Sequence, residues 1–203
     1  MDVRQLLPSR DLALVAFAGP VAELPPLAAT AEQLRAMVAD ARMPRKVART
    51  ADPLVVLEYA ATIGPATAAA VHTQLARLET GVVASAVLTP GVADALRTLA
   101  ASGTKTVVVS SLAPDAIRSF VWLAGLDVWR VIGRGGPDRS VLPPAPHLLT
   151  DAMCGRAVED CAFVAGTAAD VAAGRAAGVG TYRYRRPAEQ VDIPWFEALS
   201  PVT

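Results

Sequence analysis

Side chains able to do chemistry are sparse in this sequence and cluster in short segments. Ser110 and Ser111 close the β-branched run Lys105–Ser110 (KTVVVS), and strand-end hydroxyls either meet a polar ligand or close an ordinary turn. Arg134 and Arg139 stand in and just after the loop Gly133-Arg134-Gly135-Gly136. They read as anion contacts or as solvated loop charges. That loop continues into Pro137-Asp138 instead of opening a helix, which spoils a dinucleotide fingerprint. Asp170 follows Thr167 at the start of a helical run and suits a helix cap. His72 and His147 have no evident third partner for a nucleophilic triad. Cys154 and Cys161 are too few for a metal site or a disulfide framework. No metal ion and no cofactor are expected.

These segments are positioned by an alternating α/β pattern. Leu12 to Ala18 is an apolar run closed by Gly19-Pro20, the pattern of a strand buried on both faces. Residues 22–85 read as all helix: Thr30 caps a first helix reaching Arg42, Asp52-Pro53 opens a second, and Gly64-Pro65 separates a third that runs to Leu78. After Thr89-Pro90, helices over 90–101, 114–123, 145–153 and 168–177 alternate with strands over 105–110, 128–132, 161–165 and 180–184. Trp122 and Trp129 read as core and edge packing, and the tail from Arg185, with Pro187, Pro194 and Trp195, as an extended strap. Such alternation implies a Rossmann-like, doubly wound, mostly parallel sheet covered on both faces. The expected organisation is a core of residues 1–20 and 86–203 with a helical cap insertion at 21–85. In such sheets the ligand crevice lies outside the carboxyl ends of the strands.

Composition bounds the function. The chain has 203 residues, 53% of them hydrophobic and 19% charged, ample for a buried core. Nineteen basic and nineteen acidic residues cancel, so no broad field draws the protein to nucleic acid or anionic lipid. The run Leu12–Ala22 is about half a bilayer span, and Asp2 and Asp11 stand where a secretory leader carries positive charge. The reading is a cytoplasmic protein with no membrane segment.

The segment Phe163-Val164-Ala165-Gly166-Thr167-Ala168-Ala169-Asp170-Val171, continuing into Gly174-Arg175-Ala176-Ala177-Gly178-Val179, resembles the fourth motif of the haloacid dehalogenase superfamily and the helix behind it. Leu142-Pro143-Pro144-Ala145-Pro146-His147-Leu148-Leu149 is similar to the third motif. The resemblance covers residues 11–20 and about 86–184, and points to the small, phosphoglycolate phosphatase-like members with a helical cap.

Members of that superfamily transfer phosphoryl groups through an aspartate nucleophile at the end of the first strand, with a second aspartate two residues on as acid and base. The resemblance places Ala16 and Ala18 at those positions, Pro143 at the phosphate-binding lysine and Gly166 at a metal-binding aspartate. It leaves Ser110 as the hydroxyl that meets a phosphoryl oxygen, with Ser111 beside it and Asp170 retained. Arg134 and Arg139 are candidate substitutes for the lysine, because Lys46 and Lys105 are the only lysines in the chain and Lys105 begins its strand. The loss of one nucleophile costs a hydrolase on the order of a millionfold, and four positions are altered together. The expected function is therefore a catalytically inactive pseudo-phosphatase acting as a binding, regulatory or scaffold protein. Its candidate ligand contacts are Ser110, Ser111, Arg134, Arg139 and Asp170. Its expected partner is a protein, a second copy held through the cap, or an anionic small molecule. The alternatives are a changed, metal-independent chemistry in the crevice, and residual phosphomonoester hydrolysis.

Overall fold

The segment LALVA has no polar side chain to leave exposed, and every residue of it is buried. In the computed structural model, which describes residues 7, 9–39, 42–185 and 194–202, it forms β1 (Leu12–Ala16). Along the chain follow β2 (Ala22–Glu23), helices α1 (Ala28–Met37), α2 (Arg45–Ala48), α3 (Pro53–Ile63) and α4 (Pro65–Ala84), then β3 (Val87–Leu88) and α5 (Val92–Ala101). The rest runs β4 (Lys105–Val109), α6 (Pro114–Leu123), β5 (Arg130–Ile132), α7 (His147–Met153), β6 (Cys161–Ala165), α8 (Ala168–Ala177), β7 (Gly180–Tyr184) and β8 (Leu199–Pro201). Six strands make one sheet in the order β5-β4-β1-β6-β7-β8. The first five are parallel, and β8 joins β7 antiparallel. This is the Rossmann-like α/β architecture expected from the alternation.

Each face of the sheet has its own core. Ala13, Val15 and Val108 pack with Leu96 and Leu99 of α5 and Ile117 and Val121 of α6. Leu12, Leu14, Val107 and Phe163 pack with Leu148, Leu149 and Met153 of α7. Sheet residues alternate between the two clusters because successive strand side chains point to opposite faces. A third cluster, including Leu34, Val56, Leu57, Val71 and Leu75, lies among α1 to α4. Leu54 at the start of α3 packs against both this cluster and the second one.

Several local expectations are corrected. Thr30 does not cap a helix: α1 starts at Ala28, directly after Pro25-Pro26 and Leu27, so Thr30 lies buried inside it, and the helix ends at Met37, short of Arg42. The third helix of the insertion runs past Leu78 to Ala84, because its buried stripe Ala68, Val71, Leu75, Glu79 and Val83 keeps helical spacing. The first strand stops at Ala16, since Gly19 adopts φ 94° and turns the chain back through Gly19 N–H to Ala22 O at 2.8 Å. Trp122 is 80% exposed, so it is no core residue. Trp129 is also largely outside, flanked by Lys105 and Arg156 at 4.9 and 5.6 Å from its ring. Trp195 is buried and donates Nε1–H to Pro20 O at 2.7 Å, and the tail returns as edge strand β8 instead of a surface strap. Pro187 lies outside the described residues. Among the described residues no helix is long and apolar enough to cross a membrane.

Candidate functional site

A cavity of about 280 Å³ opens at the carboxyl ends of β1, β4 and β6, walled on its far side by the first residues of α3 and by α4. Ala16 ends β1 and is paired in register with Val109, and Ser110 follows directly, its N–H held by Ile132 O at 3.0 Å. Ala16, Ala18, Ser110, Ser111, Arg139, Pro143 and Asp170 all line this cavity, so one crevice gathers them from four segments of the chain. Most of the remaining lining is apolar: Phe17, Leu24, Leu27, Pro53, Leu54, Val109, Leu112 and Ala169.

The polar groups at this crevice are largely engaged with one another. Asp170 completes a capping box, its carboxylate accepting from Thr167 N–H at 2.8 Å and from Thr167 Oγ1 at 2.7 Å. Asp52 caps α3 by accepting Leu54 N–H at 2.9 Å, and its other oxygen faces Arg139 at 3.6 Å. Arg139 is also bonded to Glu58 on α3, so its guanidinium already has two carboxylate partners. The Ser110 hydroxyl oxygen accepts Leu112 N–H at 3.2 Å, closing the turn after β4.

Arg134 is the main correction among the candidate ligand contacts. It is neither an anion contact nor a solvated loop charge but almost fully buried, 1% exposed. Its Nη1 and Nη2 donate to the two oxygens of Glu79 at 2.8 Å each, and Nη1 also donates to Ser111 O at 2.6 Å. Glu79 further accepts Ala113 N–H at 2.8 Å. This bidentate pair ties the middle of α4 to the loops after β4 and β5. Burial pushes the His72 pKa down from its ordinary value near 6.5, and the Arg134 charge adds to that. Glu79 was not singled out from the sequence, although the stripe 68, 71, 75, 79, 83 places it on the buried face of α4. A lone acid in an apolar stripe demands a buried cation, and that was the available signal.

Gly166 sits where β1's loop crosses β6's end. A Cβ built there would fall 1.9 Å from Ala18 O and 2.8 Å from the Pro20 ring. Any side chain larger than hydrogen collides with the backbone of the β1 loop, which therefore fills the space a carboxylate at 166 would use. Divalent-ion binding in the superfamily's manner needs hard oxygen donors around an open position. Here the nearby carboxylates Asp52, Glu79 and Asp170 are committed to caps or to arginine, and Ala16 and Ala18 offer none. The residues present do not fit magnesium. Among the described residues no group of three His, Cys, Asp or Glu side chains is disposed to hold a metal ion.

No family model matches the sequence, and no curated protein does. Solved structures do match in fold. CbbY from Rhodobacter sphaeroides, solved with phosphate, superposes with a TM-score of 0.65 at 16% identity over 90% of each chain. A HAD-superfamily hydrolase of subfamily IA from Geobacter sulfurreducens gives 0.53 at 16% identity, over 85% of this chain and 86% of that one. A HAD family hydrolase from Deinococcus radiodurans, with bound phosphate and sodium, gives 0.52 at 21% identity, over 92% and 85%. The sheet order, the helical segment after β1 and these superpositions together give the chain the haloacid dehalogenase-like fold.

Proposed function

We propose that this chain is a non-hydrolytic representative of that fold, a pseudo-phosphatase whose crevice binds without turning over phosphate esters. The observation that carries this reading is the approach of Ala18 O to Gly166, which leaves no room for a metal-binding side chain there. The neighbouring chemistry agrees. Ala16 and Ala18 can neither attack phosphorus nor carry a proton, and no lysine lines the crevice. Metal-independent chemistry would need a base to activate Ser110 or Ser111, yet the lining contains no histidine, lysine or cysteine, and its carboxylates Asp52, Glu79 and Asp170 are held in caps or on arginine. What remains is a small crevice with serine hydroxyls among apolar side chains, its charged groups committed to caps and to one another, suited to holding a compact molecule or a partner's side chain.

The test is phosphate release from a panel of phosphomonoesters with magnesium present. Release at the buffer rate is expected, because an absent nucleophile alone lowers turnover on the order of a millionfold. Turnover above buffer that disappears in Ser110→Ala or Asp170→Ala would overturn the reading.

A further inference from the structure

The outer face of α6 is built unlike the rest of the surface. Trp122 and Leu123 are 80% and 76% exposed, the highest among the large apolar side chains described, and Val87 on β3 is 64% exposed. Beside them runs a groove of about 410 Å³ between the last turn of α4, β3 and α6, with Val83, Ala84, Leu88, Ala116, Phe120 and Leu123 in its walls. Its lining includes no charged side chain, and its only polar ones are Thr80 and Ser119. Phe120 is fixed from beneath by an edge-to-face contact with Phe17, ring centres 5.3 Å apart. The groove is therefore a preformed surface with a rigid floor.

We infer that this face binds a second copy of the same chain, paired about a two-fold axis so that Trp122 of each protomer enters the groove of the other. One geometric observation selects a copy over an unrelated partner, and three others are compatible with it. The projection and the groove lie side by side on one helix, so a single two-fold axis makes both contacts twice, as an isologous interface requires. The sizes agree, since a cavity of about 150 Å³ already holds a benzene ring and the groove of about 410 Å³ has room for an indole. The chain's formal net charge is zero, so no long-range repulsion opposes self-association. The charged groups of α6, Asp115 and Arg118, pair with each other, so no unpaired charge on that helix opposes the contact.

The area required is modest. A stable interface covers about 800 Å² per partner, a small fraction of this chain's 10066 Å² accessible surface. A tryptophan carries roughly 150–250 Å², so at 80% exposure Trp122 supplies a substantial share before Leu123, Val87 and the groove walls are added. This inference stands apart from the proposed loss of catalysis: apart from Phe17, which supports Phe120 from beneath, no residue of the crevice takes part.

The experiment is sedimentation velocity of the full chain over a micromolar concentration series, with Trp122→Glu and Ser119→Arg variants. Both substitutions are on the exposed face; the first removes the projection and the second fills the groove with charge. A concentration-dependent dimer is expected for the parent, with each variant raising its dissociation constant by at least about thirty-fold, the loss of one hot spot, at unchanged melting temperature. A parent that stays monomeric throughout the series overturns the inference. So does a dimer that persists in either variant, because the contact would then lie elsewhere.

Discussion

Two regions beside the carboxyl ends of the strands treat charge in opposite ways. At the ends of β1 and β6, Ala16, Ala18 and Gly166 bring methyl groups and bare backbone to the crevice, packed so closely that Ala18 O occupies the place of a side chain at 166. Behind Ser111, the Glu79–Arg134 pair buries two full charges with side-chain exposures of 2% and 0%. The first region sits where the fold's ligand crevice lies and has no uncommitted carboxylate. The second has well-made ionic contacts, but they join α4 to the strand-end loops and face no solvent. Ionisable groups here hold the helical segment on the sheet, while the strand ends that could do chemistry are filled by packing.

Breaking the ionic region should have the largest effect. Glu79→Ala leaves Arg134 buried without a counter-charge and is expected to cost about 3–5 kcal/mol in equilibrium denaturation. Replacing both partners with apolar residues of similar volume should recover most of that loss. A cost for Glu79→Ala within the ~0–1 kcal/mol typical of exposed pairs, such as Arg97–Asp94 on α5, would erase the contrast. The packed region comes next. Gly166→Ala forces the β1 loop off β6 and should destabilise by roughly 1–3 kcal/mol, read by the same denaturation; a neutral outcome would show that the loop yields and that the space at 166 is not closed.

The smallest effect probes the ionic region through pH. Burial and the Arg134 charge hold the His72 pKa below its ordinary value in the folded chain. The unfolded chain therefore binds a proton more readily, so stability is full above the unfolded value near 6.5 and falls as pH drops through the window down to the folded value. Melting temperatures taken from pH 7.5 to pH 5.5 should fall more for the parent than for His72→Gln. Glu79→Ala, which frees the Arg134 charge, should steepen the slope. Parallel curves for the parent and His72→Gln would remove His72 from the account.

Much of the fold was legible because strands and helices are written in local patterns. KTVVVS and CAFVA read as buried strands from their own residues, and Asp52-Pro53 and Thr167 announced helix starts that the structure confirms through Leu54 N–H and the Asp170 capping box. The crevice was legible as well, since strand ends in a parallel sheet converge on one edge: of the residues the sequence puts at that edge, Ser110, Ser111, Arg139, Pro143 and Asp170 line the crevice and Arg134 does not. Trp122 misled because an aromatic residue in an apolar helix reads as core until the facing element is known.

By itself the sequence determined the alternation of strands and helices, the mostly parallel character of the sheet and the identity of the small residues at the ends of β1 and β6, because these follow from periodicity and residue type within a few positions. Only the tertiary structure decided that Arg134 is buried against Glu79, 55 residues away, that Gly166 is pressed against Ala18 O, and that Trp122 faces outward. Each depends on which distant surface meets which, and a local pattern states that a face is apolar or charged without naming what will cover it.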